Sequence, residues 1–232
     1  MKNLLLVIFL NFFIFFGVVC AEEKPAIIYW DSAEGIALRS HIPVDADYWS
    51  LVSNFAVQNT QTFCAVASAI TVLNSLPIQK PIDPVYAPYP YFTQNNFFSP
   101  AVTKVVNPKT VLSSGMTREQ LAETFIQHGV KVESIAGDSV DNDSLRTLLQ
   151  NALGDDGRFV LINYARAVFG QVGGGHWSVL AAFDEQSDRV LILDVAKYKY
   201  TPVWVEINLL KQAIATIDTT SQKARGLLIV SQ

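Results

Sequence analysis

From Ala26 onward the hydrophobic pattern changes character midway along the chain. Cys64–Leu76 (CAVASAITVLNSL) sets small apolar residues at helical spacing behind Asn59, Thr60 and Thr62, which are turn or cap candidates. That pattern predicts a buried helix opening at or just before Cys64. A proline-rich loop, Pro77–Pro90, and an aromatic stretch, Tyr91–Phe98, come next. Thr117-Arg-Glu-Gln120 reads as a capping box opening a helix that runs to about His128. A second helix is predicted over Asp143–Leu153, stopped by Gly154. The second half carries Phe159–Tyr164, Trp177–Phe183 and Val190–Val195, short runs rich in Val, Ile and aromatics that suit strands. The polar turn Asp184–Asp188 joins the last two into a hairpin, and a helix over Asn208–Ile217 and a strand over Gly226–Val230 complete the pattern. Helices first and antiparallel strands later predict an α+β domain over residues 26–232, without repeats or linkers.

The first residues do not belong to that domain. Lys2 precedes an apolar run, Leu4–Val19, broken only by Asn11 and Gly17 and followed by Glu22-Glu23-Lys24. This is the layout of a secretory signal peptide, expected over residues 1–21, with cleavage near Cys20 or Ala21. The run is marginal against the roughly 20 residues of a membrane span. A retained anchor and lipidation of Cys20 are the alternatives, the latter disfavoured by the bulky Val19 before it. The expected location is outside the cytoplasm, periplasmic or secreted, with no stable membrane partner after cleavage. Removing Lys2 leaves 16 basic against 21 acidic residues and no basic patch, so nucleic acid is excluded as a partner. Of the two cysteines, Cys20 goes with the leader and Cys64 stays alone, unable to form an internal disulfide. A single thiol in an oxidising compartment is either buried and inert, or used.

At the N-terminus of a helix, unpaired N–H groups and the helix dipole favour a thiolate. A base would have to come from three histidines, His41, His128 and His176. His41 sits in an unpatterned stretch, and His128, at the end of an amphipathic helix, reads as solvated. His176 follows Gly173-Gly174-Gly175 and opens an apolar strand, either as a strand-edge residue or as an imidazole delivered to a site. Asp194 interrupts the apolar LILDVA, and a carboxylate there costs several kcal/mol unless it is paired. In the predicted hairpin His176 and Asp194 become cross-strand neighbours, which suits an orienting carboxylate; a structural hydrogen bond to backbone is the other reading. Just upstream of Cys64, the Gln58 amide could serve an oxyanion together with the Cys64 backbone N–H.

The segments QNTQTFCAVASAITVLNSL, GGGHWSVLAAFD and LILDVAKYKYTPVWV closely resemble the phytochelatin synthase catalytic domain, and YFTQNNFFS and RGLLIVS resemble further segments of its bacterial members. The resemblance implies a papain-like cysteine peptidase fold, with Cys64, His176 and Asp194 as triad and Gln58 in the oxyanion hole. It implies glutathione as substrate, with Asp218 and Arg225 holding the ends of the γ-glutamyl group and Arg166 as a third contact. On residue type alone these three would be solvated surface. Ala65 stands where relatives carry Gly, and Lys197 where many carry Arg, losing a bidentate carboxylate contact. The implied reaction is acyl transfer through a γ-glutamylcysteinyl thioester, passed to water or to a second glutathione. No cofactor is expected for acyl-enzyme formation; cadmium or zinc would enter as the metal thiolate of the substrate, and no metal site of the chain's own is recognisable. The chain ends without the cysteine-rich extension of plant members, which favours water as acceptor. A homodimer is left open. The rival readings are a peptidase of the bacteriocin-processing type and a non-enzymatic exported binding module with an inert Cys64.

Overall fold

The computed structural model describes residues 26–154 and 157–232, and the leader expected over 1–21 lies outside them. The first half supplies a short strand β1 (Ile27–Tyr29), helices α1 (Ala33–Arg39), α2 (Asp47–Asn54), α3 (Cys64–Ser75), α4 (Val102–Val105), α5 (Pro108–Ser114) and α6 (Arg118–Gln127), then strand β2 (Lys131–Ala136) and helix α7 (Asn142–Ala152). Strands β3 (Arg158–Ala165), β4 (Gly175–Asp184), β5 (Arg189–Leu193) and β6 (Val203–Glu206) follow, then α8 (Ile207–Ile214), the small strands β7 (Ile217–Asp218) and β8 (Lys223–Ala224), and β9 (Gly226–Ser231).

Among the described residues the main sheet runs β1-β6-β5-β4-β3-β9-β2, with every pairing antiparallel. This is the expected α+β class. The central strands read as unbroken apolar runs because both faces of the sheet are covered. On one face Leu161, Trp177, Val179, Leu191 and Leu228 pack against α3 residues such as Val66, Ala69 and Leu73. On the other, Val160, Ile162, Leu180, Ile192 and Leu227 pack against Leu145 and Leu149 of α7 and Leu210 and Ile214 of α8. Each fully buried side chain of this size contributes about 1.5–3 kcal/mol of transfer free energy. The edge strand β2 alternates and carries charge, Lys131 and Glu133 outward, as an exposed edge needs.

The capping box forms as read: Gln120 N–H donates to Thr117 Oγ1 and Thr117 N–H to Gln120 Oε1. Three expectations change. The C-terminal helix stops at Ile214, because the chain turns at Ala215 and Ile217 is recruited into β7. Of the two roles read for Asn59, Thr60 and Thr62, the turn holds, with Phe63 N–H donating to Thr60 O at 3.2 Å, and the cap does not: the N-cap of α3 is Phe63, and Thr62 Oγ1 donates to Leu112 O. His128 is half-buried rather than solvated. The turn at Gly129 (φ 81°) folds it under Phe92 and Phe97, with ring centroids 5.2 and 5.1 Å away, and burial pushes its pKa down to about 4.

Candidate active site

With no side-chain cap, the first N–H groups of α3 are left for Cys64, which sits 7 % exposed where the start of β4 meets the helix. Burial alone would push its thiol pKa up. The hydrogen bond and charge of His176, with the backbone N–H groups of Trp177 and Ala65, outweigh burial and leave the pKa lowered. His176 mirrors this: burial pushes it down, hydrogen bonds to Asp194 and Cys64 push it up, and the net direction is up. Its Nε2 lies 2.9 Å from Asp194 Oδ1, leaving Nδ1 for the thiol. Val179 pairs with Leu193, so one step further along each strand Asp194 faces Ser178. His176 and Asp194 are therefore diagonal neighbours rather than directly opposed, a gap their side chains span.

Asp194 is 1 % exposed and heavily partnered. Its Oδ1 also accepts from Ala196 N–H at 2.8 Å and from Arg166 Nη2 at 2.9 Å. Its Oδ2 lies 2.7 Å from Arg166 Nη1 without the alignment of a hydrogen bond. Against burial, which would raise it, His176 and then Arg166 hold this carboxyl well below the usual carboxylate range. Arg166, the third substrate contact that the resemblance implies, lines the cleft shared by Gln58 and His176, but its terminal nitrogens are bound within the chain. Its Nη1 donates to Gln171 Oε1 at 2.7 Å and its guanidinium lies 5.0 Å from the Tyr200 ring centre. With both terminal nitrogens engaged, it is an anchor for Asp194.

Gln58 is 5 % exposed and tied to the segment just past β5 through its N–H to Val195 O, 3.0 Å. Its Nε2 donates to Thr60 O at 2.8 Å and to the Tyr198 hydroxyl at 2.9 Å. Gln94, from the aromatic stretch, clamps the same loop by bonds to Val57 O and to Asn59 Oδ1 and N–H. Two clefts flank this centre and meet at Gly175. One, about 330 Å³, is lined by Gln58, His176, Tyr198 and Lys199 among others. The other, about 160 Å³, brings Cys64 together with Asn163, Trp177, Asp218 and Arg225.

Asp218 and Arg225 are each 8 % exposed, not the solvated pair that residue type suggests. The β7–β8 hairpin folds them against β3, where Arg225 Nη1 donates to Asn163 Oδ1 at 2.7 Å and Nη2 stays 3.9 Å from Asp218 Oδ1. The loose pair leaves both charges able to meet a ligand. Gly175 permits this placement: a Cβ there would stand 2.0 Å from Arg225 Nη1. The triple glycine therefore does more than supply loop freedom before His176. Lys197 lines neither cleft; its ammonium lies 4.2 Å from the Phe55 ring centre. Asn163 and Gln94 carry no sequence signal of their own, because each acts through a partner distant in the chain.

Comparison with known proteins adds an independent line. The family model described as phytochelatin synthase matches residues 24–227. Glutathione gamma-glutamylcysteinyltransferase 1 of Arabidopsis thaliana is 30 % identical over 212 residues, 90 % of this chain and 42 % of that protein. Glutathione gamma-glutamylcysteinyltransferase 1 of Triticum aestivum is 30 % identical over 213 residues, 90 % of this chain and 41 % of the wheat protein. The glutathione gamma-glutamylcysteinyltransferase of Schizosaccharomyces pombe is 26 % identical over 184 residues, 79 % of this chain and 43 % of its own. The chain spans about two fifths of the length of these relatives. With a family model covering most of its length and two relatives at 30 % identity, the chain belongs to the phytochelatin synthase family.

Proposed function

We propose that the protein is a papain-like thiol acyltransferase that opens the Cys-Gly bond of glutathione. The observation that carries this reading is the shared compartment: the candidate nucleophile Cys64 and the buried charges of Asp218 and Arg225 line the same 160 Å³ cleft. The γ-glutamyl group is a zwitterion at its free end. Asp218 takes its ammonium and Arg225 its carboxylate, and ordinary peptides would leave those buried charges unpaired.

The Cys64 thiolate attacks the cysteinyl carbonyl carbon, and the oxyanion is met by the Gln58 amide and the Cys64 N–H. The C–N bond to glycine breaks as protonated His176 gives its proton to the leaving amine. A γ-glutamylcysteinyl thioester on Cys64 remains. Water, giving up a proton to His176, then releases γ-glutamylcysteine and restores the thiolate–imidazolium pair. A second glutathione, entering as a cadmium or zinc thiolate, is the competing acceptor and would yield phytochelatin. Water is favoured because Lys197 is folded onto Phe55, away from both clefts, and offers an acceptor no carboxylate contact. The leader-like pattern over residues 1–21 supports the reading that the protein is exported, periplasmic or secreted.

Incubation with glutathione, with and without cadmium or zinc, tests this. Glycine and γ-glutamylcysteine should appear one for one, and Cys64→Ala should abolish both. Polymer outgrowing dipeptide would overturn the preference for water. Cleavage of α-linked peptides with glutathione untouched would overturn the substrate.

A further inference from the structure

The Gln58 amide has two protons, and both are spent within the chain, one on Thr60 O at 2.8 Å and one on the Tyr198 hydroxyl oxygen at 2.9 Å. Its Oε1 is buried without a partner, so nothing on the acceptor side orients the amide. An amide so committed cannot at the same moment receive an oxyanion. The two acceptors differ in what it takes to give them up. Thr60 O is fixed backbone beside Gln58. Tyr198 is 61 % exposed, so its ring can turn into solvent at little cost. Its hydroxyl is also the acceptor that shares the 330 Å³ cleft with Gln58 and His176. The segment carrying it is anchored on both sides of Tyr198, through Ala196 N–H to Asp194 Oδ1 before it and Lys199 N–H to Ala196 O after it, both 2.8 Å.

We propose that Tyr198 is a positioning residue that gates the oxyanion hole: at rest its hydroxyl holds the Gln58 proton that the tetrahedral oxyanion later takes. The inference rests on Cys64 as an acyl-transfer nucleophile and Gln58 as oxyanion donor; the identity of the natural substrate does not enter. The phenol keeps the amide aimed into the cleft and keeps bulk water from it until a carbonyl oxygen displaces it. Removing the hydroxyl removes a competitor, and a neutral hydrogen bond of this kind corresponds to about a threefold to tenfold effect on rate.

The test uses p-nitrophenyl acetate, whose carbonyl carbon the Cys64 thiolate attacks to form an acetyl thioester while p-nitrophenolate leaves. That step builds an oxyanion. Iodoacetamide serves as control, because the same thiolate displaces iodide without forming one. Tyr198→Phe should acylate about threefold to tenfold faster in the first turnover, with alkylation unchanged and the gain absent in a Gln58→Ala background. Slower or unchanged acylation, or a gain that persists without Gln58, overturns the gate. A wild type that is alkylated but never acylated sinks the acyl-transfer reading itself, and the gate with it.

Discussion

Cys64 and His176 each stabilise the charged form of the other, and Asp194 stays ionised through acidic conditions because His176, and then Arg166, outweigh its burial. The working state of the proposed mechanism is the thiolate–imidazolium pair. It exists above the lowered thiol pKa and below the raised imidazole pKa, so the activity profile is a bell whose acid limb lies below the ordinary thiol range. The alkylation rate of Cys64 against pH should show that limb directly, and His176→Ala should move it up toward the ordinary range. An unmoved limb would mean that His176 is not the partner. Gly175→Ala tests the other half of the site. Its Cβ would meet the far end of the Arg225 side chain rather than backbone, so the fold should tolerate it while Arg225 is displaced. A loss of about 10- to 100-fold in kcat/KM, carried by KM, is expected from a displaced charged hydrogen-bonding group, with Tm close to wild type. The legible residues are those that break a local rule. Asp194 stands out in an apolar strand, Cys64 as the one thiol beyond residues 1–21. Asp218, Arg225 and Arg166 break no local rule, and their burial comes wholly from tertiary packing.

Among the elements, the loop carrying Gln58 depends on a residue from another segment. Gln94→Ala removes the clamp on Val57 and Asn59 and should lower kcat by about tenfold, since partly buried backbone groups lose their partners and the Gln58 loop its anchor. Iodoacetamide alkylation should not change, because the thiolate is untouched. Helix α6 carries a second consequence. His128 is held neutral with a pKa of about 4, whereas the unfolded chain takes up that proton near the ordinary imidazole value. Stability is therefore complete above the ordinary value and is lost as pH falls toward 4. Between pH 7 and 5 the loss should be about 2 kcal/mol, read from urea midpoints as the difference between wild type and His128→Gln. Strands β3, β4, β5 and β9 are visible as apolar runs because they are covered on both faces. Strand β2 hides behind its charges, and β7 and β8 are too short to carry a pattern.

At the scale of the molecule, the sheet and α3 meet so that one strand end and one helix start converge, and two clefts open on either side. The α+β class follows from the order of patterns along the chain. The division of the site into two clefts does not, because the smaller one is made by the β7–β8 hairpin folding over β3. The central claim is that Cys64 carries the γ-glutamylcysteinyl group. Intact-mass spectrometry of the protein mixed briefly with glutathione tests it most directly, beside Cys64→Ala. The account predicts a γ-glutamylcysteinyl adduct on Cys64, one glycine released per adduct, and neither from the variant. A folded protein whose Cys64 alkylates readily, yet which gains no adduct and releases no glycine, would contradict it.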